Sequence, residues 1–238
     1  MDFDLATALD RQLTPDARQW LTEAVTSVGQ DPTAVRGAFP AVARRCGRGP
    51  LAAGWTVADA ARARLLQALP LRGADLAAEI ADLHRYGDAA EQRAVLRSLA
   101  LLEDADPTFA DLGLPLVHSA LRGNDTGLIE AALGPYAARH LDPDGYRHAV
   151  LKCVFCGIPL DRVAGLTERA DRELARMLAD FAHERVAAGR AVPADVWPIL
   201  RDHPGTLEAS GLPAEADSPS PDRRAAAAQA LAAFNGAA

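Results

Sequence analysis

"TPDARQWLTEAVTSVG", residues 14–29, sets the pattern that recurs along this chain. Thr14 is a capping residue and Pro15 follows at the first helical position, where its missing N–H costs nothing. Trp20, Leu21, Ala24, Val25 and Val28 then fall at i, i+1, i+4, i+5 and i+8, which is one stripe on a helix. "DPTAVRGAFPAVARRCG" (31–47) opens the same way, on Asp31 and Pro32. "WTVADAARARLLQAL" (55–69) is a further helix, and Pro70 follows it. "GADLAAEIADLHRYG" (73–87) and "DAAEQRAVLRSLALLE" (88–103) make a pair about the Gly87–Asp88 turn. "DPTFADLGLPLVHSALRG" (106–123) opens on Asp106–Pro107 and ends at Gly123.

The second half continues in this style. "NDTGLIEAALG" and "PYAARHL" (124–141) read as one interrupted helix, because Pro135 removes a backbone donor. "DPDGYRHAVLKCVFCG" (142–157) is stopped by Gly157 and Pro159. "ADRELARMLADFAHERVAAG" (170–189) is a long amphipathic helix with Leu174, Met177, Leu178 and Phe181 on its inner stripe. "PADVWPILRDHPG" (193–205) is a short one. "GLPAEADSPSPDRR" (211–224) has the composition of a disordered linker. "DRRAAAAQALAAF" (222–234) is a terminal helix with little to bury, able to pack on the body or to float. No hairpin or βαβ pattern competes.

"RAVLRSLALL" (93–102) and "HAVLKCVFCG" (148–157) share an Ala-Val-Leu-cation core, 55 residues apart. Such an echo is what stacked helix pairs give. The expected fold is all-α: stacked antiparallel helical hairpins, HEAT- or armadillo-like, after N-terminal helices and before a flexible C-terminal tail. The expected division is 1–72 for the N-terminal part, 73–205 for the core and 206–238 for the linker and Ala-rich tail.

Composition narrows the function classes. Hydrophobic residues make up 49%, so a sizeable core can form, yet aromatics are only 5% and the apolar mass is Ala, Leu and Val. Those residues favour closely packed helices. A net charge of −7 and a pI of about 5.4 argue against a general nucleic-acid binder, which needs a basic face. No apolar run approaches a membrane span, and "MDFDLATALD" lacks the basic region of a signal peptide. A cytoplasmic protein is expected. Nearly every cation is Arg, as in a GC-rich genome such as an actinomycete's, and Lys152 is the single lysine.

Polar residues gather between 122 and 152. Gly123 suits a helix end, and Asn124 or Asp125 suits an N-cap. Arg122 then stands beside a helix N-terminus, where an anion is welcome. Tyr136 and His140 are one turn apart, as are His148 and Lys152 on the next helix. A short turn joins the two helices, so the four side chains are expected to converge on one inner surface. Partial burial there would make Lys152 a base or an anion anchor. The alternative is that Tyr136 and His140 are satisfied core groups and Lys152 reaches out to solvent. Cys153 and Cys156 form a C-x-x-C at the wrong end of a helix for redox work, without a second ligand pair for zinc. His183 falls on the Arg176 side of its helix, towards solvent. No Walker loop, dinucleotide fingerprint or nucleophile elbow occurs.

"ALRGNDTGLIEAALGPYAARHLD", "HAVLKCVFCGIPLDRVAGL" and "ADRELARMLADFAHERVAAGRAVP" resemble the EboA family, in order and spacing, over about residues 75–200. The resemblance implies metabolite traffic: movement of a secondary-metabolite precursor, alongside proteins encoded in the same gene cluster. It brings no established catalytic residues, no metal and no cofactor. The matching polar positions are Arg122, Asn124, Asp125, Tyr136, Arg139, His140 and Lys152. The family often has an apolar residue at the position of Cys156. The expected function is therefore a binding or adaptor protein for a small metabolite or a pathway partner, with Arg122, Asn124, Asp125, Tyr136, His140 and Lys152 as its ligand contacts. The alternatives are an enzyme of secondary metabolism using a Lys/His/Tyr pocket, and a structural scaffold.

Overall fold

The computed structural model describes residues 4–236. Among them every regular element is helical, with one isolated bridge between Pro50 and Thr56. The chain divides into two compact units, one up to His140 and one from Leu141. The boundary expected near residue 72 lies inside the first unit.

The first unit holds α1 (Leu5–Gln12), α2 (Pro15–Gln30), α3 (Val35–Cys46), α4 (Val57–Gln67), α5 (Gly73–Tyr86), α6 (Ala89–Ala105), α7 (Leu114–Arg122), α8 (Thr126–Ala132) and α9 (Pro135–His140). Thr14 accepts the Ala17 N–H, and Pro15 begins α2 as the pattern requires. α4 is the axis of this unit and touches α1, α2, α3 and α6. It is buried on nearly every side, and its small residues Ala58, Ala60, Ala61 and Ala63 let neighbours approach closely. Leu65 and Leu66 fill the core with Phe39, Ile80 and Leu99.

Two capping boxes cross-link this core. In α4, Thr56 accepts the Asp59 N–H and Asp59 accepts the Thr56 N–H. In α6, Asp88 and Glu91 do the same. The acid at the third helical position of each box, Asp59 and Glu91, also meets an arginine of the other helix. Arg93 of α6 donates to both carboxylate oxygens of Asp59, at 3.2 and 3.0 Å. Arg62 of α4 reaches Glu91 at 3.4 Å and donates from Nε to the Phe39 carbonyl at 3.1 Å. Asp59 is fully buried and Arg62 is 2% exposed. The carboxylates thus fix the starts of two helices and their relative register together.

The expected helix over 106–123 is broken. A 3-10 turn, Pro107–Phe109, stands before an irregular stretch, and α7 begins only at Leu114. The stretch is held by a side chain from α9. The Tyr136 hydroxyl donates to the Ala110 carbonyl at 2.5 Å and accepts the Gly113 N–H at 2.9 Å. The 124–140 segment is two helices, because the chain leaves helical geometry at Leu133 and Pro135 restarts it.

The second unit holds α10 (Pro143–Cys156), α11 (Leu166–Arg169), α12 (Arg172–Ala187), α13 (Trp197–Asp202), α14 (Pro204–Ala209) and α15 (Pro221–Phe234). α12 contacts α10, α13, α14 and α15. Its buried face is Leu174, Ala175, Leu178, Ala179, Phe181, Ala182 and Val186, with Met177 half-buried. The stretch read as a linker carries a 3-10 helix, Leu212–Asp217, and Pro221 stands in the first turn of α15. Its prolines act as helix starters there. α15 buries Ala226, Ala227 and Ala230, and Arg201 donates to the carbonyls of Ala233 and Phe234 at its end. Cations favour a helix C-terminus, where carbonyls lack partners. Ala237 and Ala238, the end of the expected tail, lie outside the described residues.

Asp171 caps α12 by accepting the Leu174 N–H, and it holds Arg147 of α10 at 2.6 Å. The Arg147 hydrogen bonds lower its carboxyl to about 2. A depressed carboxyl stabilises the fold above its unfolded value, near 3.9, and ceases to do so as pH falls through its folded value. Asp171 thus contributes fully above about pH 4 and loses its contribution towards about pH 2. Acid unfolding of Asp171→Asn, followed by circular dichroism, is expected to be shallower than wild type across that window. An identical acid limb would contradict the assignment.

Candidate functional site

The structure gives the six residues singled out by sequence quite different surroundings. Asp125 is the N-cap of α8 and accepts the N–H groups of Gly127 and Leu128. Arg122, in the last turn of α7, and Asn124 are exposed. Tyr136 is buried, and both hydrogen-bonding capacities of its hydroxyl go to backbone. Burial raises the phenol further above its usual value, so it is no base near neutral pH. The His140 ring lies 4.7 Å from the Tyr136 ring, and its Nε2 is 2.6 Å from Glu103. Arg139 pairs with the same Glu103 at 2.8 Å and with Asp104 at 3.1 Å. These groups tie α9 to α6. Lys152 sits half-buried on α10 in the second unit. His148, one turn before it, is exposed and turns its Nδ1 back to the Asp144 carbonyl at 2.8 Å.

The cysteines divide as their helix position implies. Cys153 is buried and Cys156 exposed at the end of α10, and neither forms a disulfide among the described residues. Burial pushes the Cys46 thiol up to about 11. Among the described residues no group of His, Cys, Asp and Glu is arranged to hold a metal ion. His183 is half-buried rather than open to solvent: it packs against the 3-10 helix after α14, and its Nε2 lies 3.3 Å from Glu215, which Arg223 also holds.

Among the described residues, cavities open at three places that bear on ligand binding. One of about 690 Å³ lies between α2 and α3, lined by Trp20, Glu23, Arg44 and Arg45 among others. A smaller one, about 270 Å³, lies between α3 and α5, with Phe39, Tyr86, Glu79, Asp82 and Glu91 in its wall. Two of its carboxylates are already engaged: Glu79 by Arg36 and Glu91 by Arg62. The third, about 530 Å³, lies at the C-terminal ends of α10 and α12. Phe155, Phe181, Glu184, Arg185 and Arg190 line it.

Phe155 falls on the helical stripe of His148 and Leu151 in α10. The structure leaves it 62% exposed, with its ring edge-on to Phe181 at 4.9 Å. That stripe is the outer one: His148 is exposed and Leu151 half-buried, whereas Tyr146, Ala149, Val150, Cys153 and Val154 form the buried face of α10. Gly157, at φ +70° in the left-handed conformation, ends the helix two residues after Phe155.

No helix of the described residues is long and apolar enough to cross a membrane. No curated protein and no solved structure matches the chain significantly. The family model of EboA, described as a metabolite traffic protein, matches residues 41–201. That span covers well over half of the chain and contains both α4–α6 and α10–α12. The chain therefore belongs to the EboA family.

Proposed function

We propose that this protein binds a small metabolite of a secondary-metabolite pathway in the cytoplasm and passes it on without converting it. The observation that carries this reading is the 530 Å³ cavity within the family-matched span. Its volume falls in the usual range for small-molecule sites. The two groups best suited to acid–base work, Tyr136 and His140, support the same reading, since backbone and Glu103 already engage them. We assign Asp125, Tyr136 and His140 to holding the first unit together. Arg122 and Asn124 at the α7–α8 turn, and Lys152 on α10, are our candidates for contact with a ligand or with a protein of the same gene cluster.

Thermal unfolding in the presence of a small-molecule extract of the producing organism tests this. A ligand that binds only the folded state raises the melting temperature with its concentration. A rise that survives removal of macromolecules from the extract is the expected result. An unchanged melting temperature over a wide range of extract concentration would overturn the proposal.

A further inference from the structure

The cavity at the ends of α10 and α12 has a chemistry that selects among metabolites. Two helix stops build it. At α10, Ile158 donates to the Cys153 carbonyl at 2.9 Å and Gly157 to Val154 at 3.3 Å. At α12, Arg190 donates its backbone N–H to the Arg185 carbonyl at 2.9 Å and Gly189 to Val186 at 2.8 Å. Both are Schellman closures with a left-handed glycine. Just before the first, Phe155 stands on the outer stripe of α10 at the rim, beside the buried Phe181. The second folds the chain back, so that Arg190 follows close behind Arg185.

Buried and half-buried arginines such as Arg62, Arg93, Arg97 and Arg147 pair with a carboxylate. Neither Arg185 nor Arg190 has a carboxylate within 4.0 Å among the described residues. Arg185 is held in place instead, donating from Nε to the Ala191 carbonyl at 2.9 Å. That bond leaves its terminal nitrogens for another acceptor. Glu184 shares the lining, so the two guanidiniums outnumber the one carboxylate. The helix ends oppose an anion weakly, but the closures just described already occupy several of their last carbonyls. A guanidinium–carboxylate bond is the stronger interaction.

Resting on the reading of the protein as a metabolite binder, we propose that this cavity takes a planar aromatic carboxylate. The ring packs on Phe155, and Arg190 and Arg185 receive the carboxylate. An exposed phenylalanine offers a flat apolar face for stacking, and arginine is the side chain that matches a carboxylate in two-point geometry. The cationic wall disfavours an aliphatic amine, whose charge the two guanidiniums would repel.

Isothermal titration calorimetry with 2-naphthoate, and with 2-naphthalenemethanol as its neutral counterpart, tests the assignment. One naphthoate is expected per chain. Arg190→Glu, an exposed position that should leave folding intact, is expected to weaken naphthoate at least about tenfold, a loss of roughly 1.4 kcal/mol, and to leave the alcohol unchanged. Phe155→Ala is expected to weaken both. Equal binding of acid and alcohol, indifference to Phe155→Ala in a variant that melts normally, or no binding would overturn the site. The extract experiment separates this failure from that of the wider reading. A melting shift that persists in Phe155→Ala keeps metabolite binding and moves it elsewhere, whereas loss of both results removes both proposals.

Discussion

Asp59→Ala is expected to lower the stability of the protein by about 3 kcal/mol, through loss of a helix cap and of a buried ion pair. One carboxylate does both jobs. It closes the first turn of α4 on the Thr56 N–H and receives the Arg93 guanidinium on both oxygens. Alanine leaves the Thr56 donor open and Arg93 without its acceptor. Arg93 lies partly at the surface and recovers some hydration, which keeps the cost below the upper range for a broken buried pair. For a chain of this size the melting temperature should fall by roughly 10 °C. Asp59→Asn keeps an acceptor for Thr56 and gives up the charge, so its effect should be clearly smaller. Thermal unfolding by circular dichroism checks both. A melting point for Asp59→Ala within about 2 °C of wild type, under 1 kcal/mol at this size, would refute the cross-link between α4 and α6.

Tyr136→Phe is the second large effect, and it separates structure from binding. Loss of the hydroxyl strips the Ala110 carbonyl and the Gly113 N–H of their partner in a buried turn. Unsatisfied buried groups cost about 1–3 kcal/mol in total here. Gly113→Ala attacks the same contact from the other side, because a Cβ there would stand 2.9 Å from the Tyr136 Cζ and hydroxyl. Both variants are expected to destabilise, and the double variant to cost less than the sum, since the phenylalanine vacates part of the space the methyl needs. The binding of 2-naphthoate should stay at its wild-type affinity in folded Tyr136→Phe. A Tyr136→Phe protein of unchanged stability that has lost ligand binding would return Tyr136 to the site.

The helices were legible because their starts are chemically marked. Thr14–Pro15, Asp31–Pro32, Asp106–Pro107 and Asp142–Pro143 each place an acceptor before a residue that needs no donor. The stretch around residue 215 was harder for the same reason. Its Pro and Ser content resembles a linker, yet Pro213 and Pro221 stand in first turns. The alanines of α15 lose no side-chain entropy on packing, so a weakly amphipathic sequence can still dock. The capping boxes Thr56-Val-Ala-Asp59 and Asp88-Ala-Ala-Glu91 have the right local spacing, a signal that sequence reasoning missed. Their cross-pairing with Arg93 and Arg62 was not, because it depends on which helices meet.

The candidate site was less legible than the fold. Tyr136 and His140 look like chemistry in sequence because they are polar residues on an apolar stripe. Their partners, Ala110, Gly113 and Glu103, are 23 to 37 residues away along the chain. No local pattern announces that they are satisfied. Phe155 shares the stripe of His148 and Leu151, and which side of α10 that stripe faces depends on how α10 packs; it faces outward, with Phe155 62% exposed. Arg185 and Arg190 carry no motif, and only the fold brings them to one cavity with Phe155.

Native mass spectrometry of the protein purified from its own producing organism tests metabolite binding most directly. The account predicts an adduct of roughly a few hundred daltons, the mass that suits a cavity of this class, present in wild type and lost in Arg190→Glu. Protein recovered only at its bare chain mass of 25.1 kDa, in gentle conditions and repeated preparations, would contradict it.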